Sequence, residues 1–88
     1  MILCKTKNYK KDSSSLSKKD SSLLTKQERL LENDIFHSKL HTKKLNGFLG
    51  DRVYSFRITR KYRGIFRLSE DKVILFAIGQ RKDIYQNL

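Results

Sequence analysis

From Val53 to Leu68 the chain alternates with a period of two, and that rhythm commits it to a sheet before anything else is known. In VYSFRI, Tyr54, Phe56 and Ile58 fall on one face of an extended strand, and Val53, Ser55 and Arg57 fall on the other. In YRGIFRL, Tyr62, Gly64, Phe66 and Leu68 repeat the apolar face, while Arg63, Ile65 and Arg67 point the opposite way. Between Arg52 and Ser69 there are six basic residues and no acid. A sheet surface that only has to be wet is served by Lys, Glu or Thr. Repeated arginine opposite an apolar face asks what anion it meets.

The rest of the charge deepens the question. Lys and Arg total 20 against 9 acids, a formal net charge of +11. Residues 1–36 hold eight bases and five acids, whereas residues 37–88 hold twelve and four. Bases gathered in one structural region are the electrostatic footprint of a nucleic-acid binder. The 88 residues are expected to form one domain, 1–88. A chain of that size buries only about 60% of its unfolded surface, so its stability margin is thin and a partner matters. One cysteine leaves no intramolecular disulfide and no multi-Cys zinc site, and it fits a reducing cytoplasm. Cys4, in the apolar start MILC, reads as a buried structural thiol. That start is too short for a signal peptide, and no window approaches a membrane span.

Taken in order, MILCKT (1–6) reads as a short strand at the edge or middle of the sheet. Asn8 is placed to cap a short helix over 9–15. Ser17-Lys-Lys-Asp20 has capping-box spacing, and Leu16, Leu23, Leu24, Gln27, Leu30 and Leu31 follow at helical intervals. A second helix over 17–32 is therefore expected, with Asn33 as its terminator. Its leucine stripe is the cover that the Tyr54–Phe56–Ile58 face needs. Residues 34–47 show no periodicity and read as a loop. His37 and His41 lie there four apart without a third ligand type, so no metal is expected. Asn46-Gly47 and Gly50-Asp51 signal turns. Thr59-Arg60-Lys61 and Ser69-Glu70-Asp71 are short enough for hairpins, and VILFAI (73–78), apolar on both faces, should be the most buried strand. The expected architecture is α+β in the order β-α-α-β-β-β, with two N-terminal helices packed on one face of a small antiparallel sheet and the arginines on the other.

Arg57, Arg63 and Arg67 share the open face of two neighbouring strands, and Arg81 emerges where the third ends. Guanidinium is planar, stays charged at any working pH and grips phosphate through two bonds. Several together bind a polyanion and stabilise the extra negative charge of a phosphorane. Tyr85 can stack on a splayed base. A conventional acid–base pair is missing, because no Asp or Glu falls on the arginine face and His37 and His41 are expected outside it. Arginine, with a reference pKa above about 12, is a poor general base. The residues themselves reach an RNA-binding or RNA-cleaving sheet.

LHTKKLNG (40–47), VYSFRITRKYRGIFRL (53–68) and ILFAIGQRKDIY (74–85) resemble the RelE/ParE superfamily of bacterial type II toxins. The RelE and YoeB side fits best, where R-I-T-x-x-x-R ahead of an apolar–aromatic pair recurs. The likeness runs from Lys43 to Tyr85, and the first 36 residues are compatible with it. It implies a RelE-like fold and a cytoplasmic, ribosome-dependent endoribonuclease without cofactor. Such an enzyme cuts messenger RNA by attack of the ribose 2′-hydroxyl on the adjacent phosphate. Its partners would be the ribosome, mRNA and a co-encoded acidic antitoxin, the toxin being monomeric when free and hetero-oligomeric with the antitoxin. By position, Arg63 would stabilise the phosphorane, Arg81 would help the leaving oxygen and Tyr85 would stack on or orient the nucleotide. Arg57 falls where some members carry a basic residue near the 2′-hydroxyl, and Ser55 where they carry a second. Lys43, Lys44, Arg60, Lys61, Arg67 and Lys82 would hold the RNA or ribosome backbone. Two positions depart from the pattern. Ile84 precedes the final tyrosine where some relatives have histidine, and Lys43 stands four before the loop glycine where others have one. The general base is thereby left open, with Lys43 or Lys44 as candidates if desolvated. Two other classes remain: a ParE-like protein that inhibits DNA gyrase without cutting RNA, and an RNA-binding module without chemistry.

Overall fold

The computed structural model describes residues 1–45 and 52–80. The chain runs β1 (Ile2–Lys5), α1 (Lys7–Ser14), α2 (Lys18–Asn33), a 3-10 turn (Ser38–Leu40), β2 (Lys43–Lys44), β3 (Val53–Arg57), β4 (Tyr62–Ser69) and β5 (Lys72–Gln80). The strands form one sheet in the order β1-β5-β4-β3-β2. All neighbours are antiparallel except β1, which joins β5 in parallel, with Cys4 opposite Ile74. The expected α+β order is present, with β1 settled at the edge and β2 added from a stretch that reads as loop. As an edge strand β1 has a neighbour on one side only, so Cys4 is half-buried rather than buried.

The helices start where the chain leaves extended backbone. Thr6, not Asn8, caps α1, its hydroxyl accepting from the Tyr9 amide at 3.2 Å. Thr6 ends the β1 segment in the extended conformation an N-cap needs. Ser17 caps α2 as its spacing foretells, accepting from the Asp20 amide at 3.1 Å. The helix runs through Asn33 and stops at Asp34, which returns to extended backbone. β1 covers only Lys72–Leu75 of β5. Farther along that edge the Ile78 amide donates to the Asp12 carboxylate at 3.1 Å, so α1 finishes the edge that β1 leaves open.

The core lies between the helices and the sheet. Tyr9, Leu24, Leu31, Leu40, Phe56, Ile58, Phe66, Val73 and Leu75 are buried there. Leu24 and Leu31 are the centre of the leucine stripe, and full burial of such side chains contributes about 1.5–3 kcal/mol each. Gln27, in the same stripe, does something else. Its amide donates to the carbonyls of Lys39 at 3.0 Å and Arg57 at 2.7 Å, stitching α2 to the end of β3. Gly64 sits opposite Phe56, whose ring fills the space a Cβ would take.

The sheet is not greasy on one face and cationic on the other. Val53 and Ile65 are fully buried on the arginine side, with Leu45, Phe76 and Ala77 against them. A bulge helps build this second cluster: Ile65 pairs with Ala77 and Phe66 with Leu75, leaving Phe76 as the extra residue. β5 is not the most buried strand: β3 and the run Arg63–Phe66 of β4 are buried more completely. β4 is third of five in the sheet order, flanked by the two longest pairings, whereas β5 borders the short edge strand.

Tyr9 anchors α1 through a polar contact inside the core. Its hydroxyl donates to Glu28 Oε2 at 2.8 Å, and Glu28 Oε1 pairs with Lys5 Nζ at 3.0 Å. Burial first, and then the Glu28 carboxylate, push the phenol well above its ordinary range. The folded state therefore holds this proton after an unfolded tyrosine, with its pKa of about 10, has lost it. Stability from this source is complete below pH 10 and falls above it, by up to about 1.4 kcal/mol per pH unit. Urea unfolding at pH 9 and 11 should show that decline in the parent and a flatter profile in Tyr9→Phe. Equal slopes in the two proteins would remove Tyr9 as the cause.

Candidate nucleic-acid interface

The register of β3 against β4 sets Arg57 directly opposite Arg63. Directly opposed residues of an antiparallel pair lie about 4.5–5.5 Å apart and share a face. The two arginines are nonetheless held differently. Arg63 is 5% exposed, and its Nη2 donates to the His41 carbonyl at 2.8 Å and to Ser55 Oγ at 3.0 Å. Ser55, also fully buried, is the β3 residue two before Arg57. Its hydroxyl fits the space that a larger side chain would deny the guanidinium. Arg57 is half-buried, with Nη1 making a long 3.5 Å contact to His41 Nε2. Like charges opposed across strands repel, so an anion placed between the two gains from both.

His41 is the residue that sequence reasoning missed. It closes the 3-10 turn in the left-handed conformation, at φ 47 and ψ 47. Histidine is among the side chains enriched there, yet the conformation still costs roughly 1–3 kcal/mol unless its surroundings enforce it. The Arg63 bond to its carbonyl is such an enforcement. The loop expected to keep His41 away from the arginines turns it onto them. The placement follows from strand register: Lys43 pairs with Ser55, so the chain two residues back, at His41, runs alongside Arg57. With only Lys43 and Lys44 in β2, no periodicity announced the strand. His37 serves the backbone, its Nδ1 accepting from the Lys39 amide at 3.1 Å.

The other expected contacts separate. Lys43 is exposed and in register with Ser55, which places it on the arginine face, whereas Lys44 is in register with Tyr54 on the helix side. Arg60 and Lys61 are exposed in the 58–61 connection, Lys61 Nζ lying 5.5 Å from the Tyr62 ring centroid. Arg67 shares the face of Arg63 but is four residues along β4, about 13 Å away, with buried Ile65 between. It is exposed and belongs to the far end of the sheet, not to the pair. Arg81, Lys82 and Tyr85 lie outside the described residues, as do both expected turns at 46–47 and 50–51. Among the described residues, then, the gathered groups are Arg57, Arg63, Ser55 and His41. No helix among those residues is long and apolar enough to cross a membrane.

Among solved structures, RelE in the RelB–RelE antitoxin–toxin complex of Methanococcus jannaschii superposes at a TM-score of 0.78, with 21% identity over 97% of this chain and 98% of that one. The fold is that of the RelE toxins. The archaeal RelE–RelB complex of Pyrococcus horikoshii OT3 matches at 0.76, with 21% identity over 91% of this chain and 93% of that chain. A YoeB/ParE toxin from Agrobacterium tumefaciens matches at 0.78, with 17% identity over 92% and 99%. No protein-family model and no curated protein sequence matches the chain. The RelE fold is thus kept here by side chains that differ at about four positions in five, and it is the sheet that positions Arg57 and Arg63.

Proposed function

We propose that the chain is the toxin of a toxin–antitoxin pair and a ribosome-dependent endoribonuclease, cutting mRNA by attack of a 2′-hydroxyl on the adjacent phosphate. The observation that supports it is the cross-strand pair of arginines, one fixed by burial and two hydrogen bonds and the other half-exposed beside it, on a RelE fold. A guanidinium fixed before substrate arrives needs no reorganisation as charge builds on phosphorus, and removal of one such donor costs about 10²–10³ in rate. Arg63 takes that part and Arg57 supports it at the same phosphate. Arg81 and Tyr85 are assigned, on the resemblance, to the leaving oxygen and to the base. Lys43, Arg60, Lys61 and Lys82 hold the RNA backbone, while Lys44, on the other face, and Arg67, at the far end of the sheet, meet ribosomal RNA. The partner is an acidic antitoxin, complementary to a chain of net charge +11. The free toxin is a cytoplasmic monomer that forms a hetero-oligomer with it.

Induction in a host without the antitoxin should arrest growth. Primer extension should then find new 5′ ends within translated messages and none on the same message held off the ribosome. Intact transcripts together with accumulated double-strand DNA breaks would replace this reading with gyrase inhibition. Intact transcripts and intact DNA would leave an RNA-binding module.

A further inference from the structure

Taking the nuclease reading as its basis, we propose that His41 is the general base that removes the proton from the attacking 2′-hydroxyl. Of the other groups gathered at the pair, Arg57 and Arg63 are donors that keep their protons at working pH, and the Ser55 hydroxyl is buried as an acceptor of Arg63. Imidazole is the side chain that gains and loses a proton between pH 5 and 8. His41 is also held from both ends. Its amide bonds to the Ser38 carbonyl at 3.4 Å, its carbonyl accepts from Arg63, and its Nε2 faces the Arg57 guanidinium at 3.5 Å. A guanidinium offers only donors, so a bond between the two requires Nε2 as the acceptor, the state a base requires. Lys44 faces the other side of the sheet, and both Lys43 and Lys44 are exposed, without the desolvation a lysine base needs.

The step balances without a further reactant. A phosphate between the arginines draws the Arg57 donors onto its oxygens and leaves Nε2 open to the neighbouring ribose. Nε2 takes the 2′-hydroxyl proton as the O2′–P bond forms. The P–O5′ bond breaks with its electron pair on O5′, which takes a proton from water, and the imidazolium later returns its own to solvent. The products are a 2′,3′-cyclic phosphate and a 5′-hydroxyl end. Among the described residues, the charged groups in contact with His41 are Arg57 from β3, at the ring, and Arg63 from β4, at the carbonyl, while Lys39 and Lys43 stand two residues away on its own segment. From α2 comes the neutral Gln27 amide, bonded to the Lys39 and Arg57 carbonyls.

The test is single-turnover cleavage of a message on programmed ribosomes by the full chain between pH 5.5 and 9. The parent rate should climb with pH and then level. His41→Gln should cut about 10²–10⁴-fold more slowly near pH 7.5, lose that limb, and bind ribosomes within about threefold of the parent. His41→Asn, which suits the left-handed backbone, should behave alike, and thermal melting checks that both fold. Added imidazole should restore part of the rate to His41→Ala. If the parent cleaves and His41→Asn keeps both its rate and its pH limb, the assignment to His41 is overturned and the nuclease reading stands. A parent that cleaves nothing at any pH overturns the nuclease reading, and the role of His41 with it.

Discussion

Gly64→Ala is expected to lower the melting temperature by roughly 10–20 °C, the equivalent of about 2–3 kcal/mol in a domain of this size. A methyl group at this position would overlap Cε1 and Cζ of Phe56. Phe56 is fully buried and cannot swing out to solvent. Its ring packs on Phe66 at 6.0 Å between centroids, and Phe66 stacks on Tyr54 at 5.5 Å, so moving one ring moves three. Opposing this, alanine restricts the unfolded chain and suits a strand better than glycine, by about 0.5–1 kcal/mol. The overlap is larger, so the sign is destabilising. Phe56→Leu alone should also destabilise, but in the double variant the costs should fail to add by at least about 1 kcal/mol, because each change relieves the other. A Gly64→Ala protein melting at or above the parent temperature would show that the close approach of β3 and β4 at this point is not enforced by glycine. The consequence reaches the site, because the Phe56–Gly64 pair is the neighbour of Arg57–Arg63 in the same ladder.

Arg63→Lys should abolish toxicity and slow cleavage by about 10²–10³ while leaving the protein folded. Lysine keeps the charge. A single ammonium on a flexible stem does not reproduce a planar fork that reaches the His41 carbonyl and Ser55 Oγ together while presenting donors to a phosphate. Arg63→Ala should be equally inactive but less informative. Its burial means that truncation strips a donor from the buried Ser55 hydroxyl and the part-buried His41 carbonyl, and costs about 1–3 kcal/mol in stability as well. Growth after induction and primer extension read the first effect, and urea unfolding separates it from the second. A lysine variant that arrests growth and cuts messages like the parent would take Arg63 out of the chemistry.

The features that could be read from the residues are those with a local cause. Alternation put Phe56 and Phe66 on one face and Arg57 and Arg63 on the other, because successive side chains of a strand oppose each other. Ser17 announced α2, because its hydroxyl satisfies an amide three residues away. Other features have a distant cause. Ile65 between two arginines looks like a solvated position, yet it is buried by the Phe76 bulge on another strand. Gln27 looks like a gap in a leucine stripe until Lys39 and Arg57 are seen to meet it.

By itself the sequence determined a basic chain whose helices cover one side of an arginine-bearing sheet, since period, capping and charge act within a few residues of each other. Tertiary structure decided which groups stand together at that sheet. It put β1 beside β5, buried Arg63 against Ser55, and brought His41 from an apparently structureless loop onto two arginines 16 and 22 residues away. Those placements come from pairing register and from one left-handed backbone residue enforced by a distant hydrogen bond, and neither leaves a periodic trace in the chain.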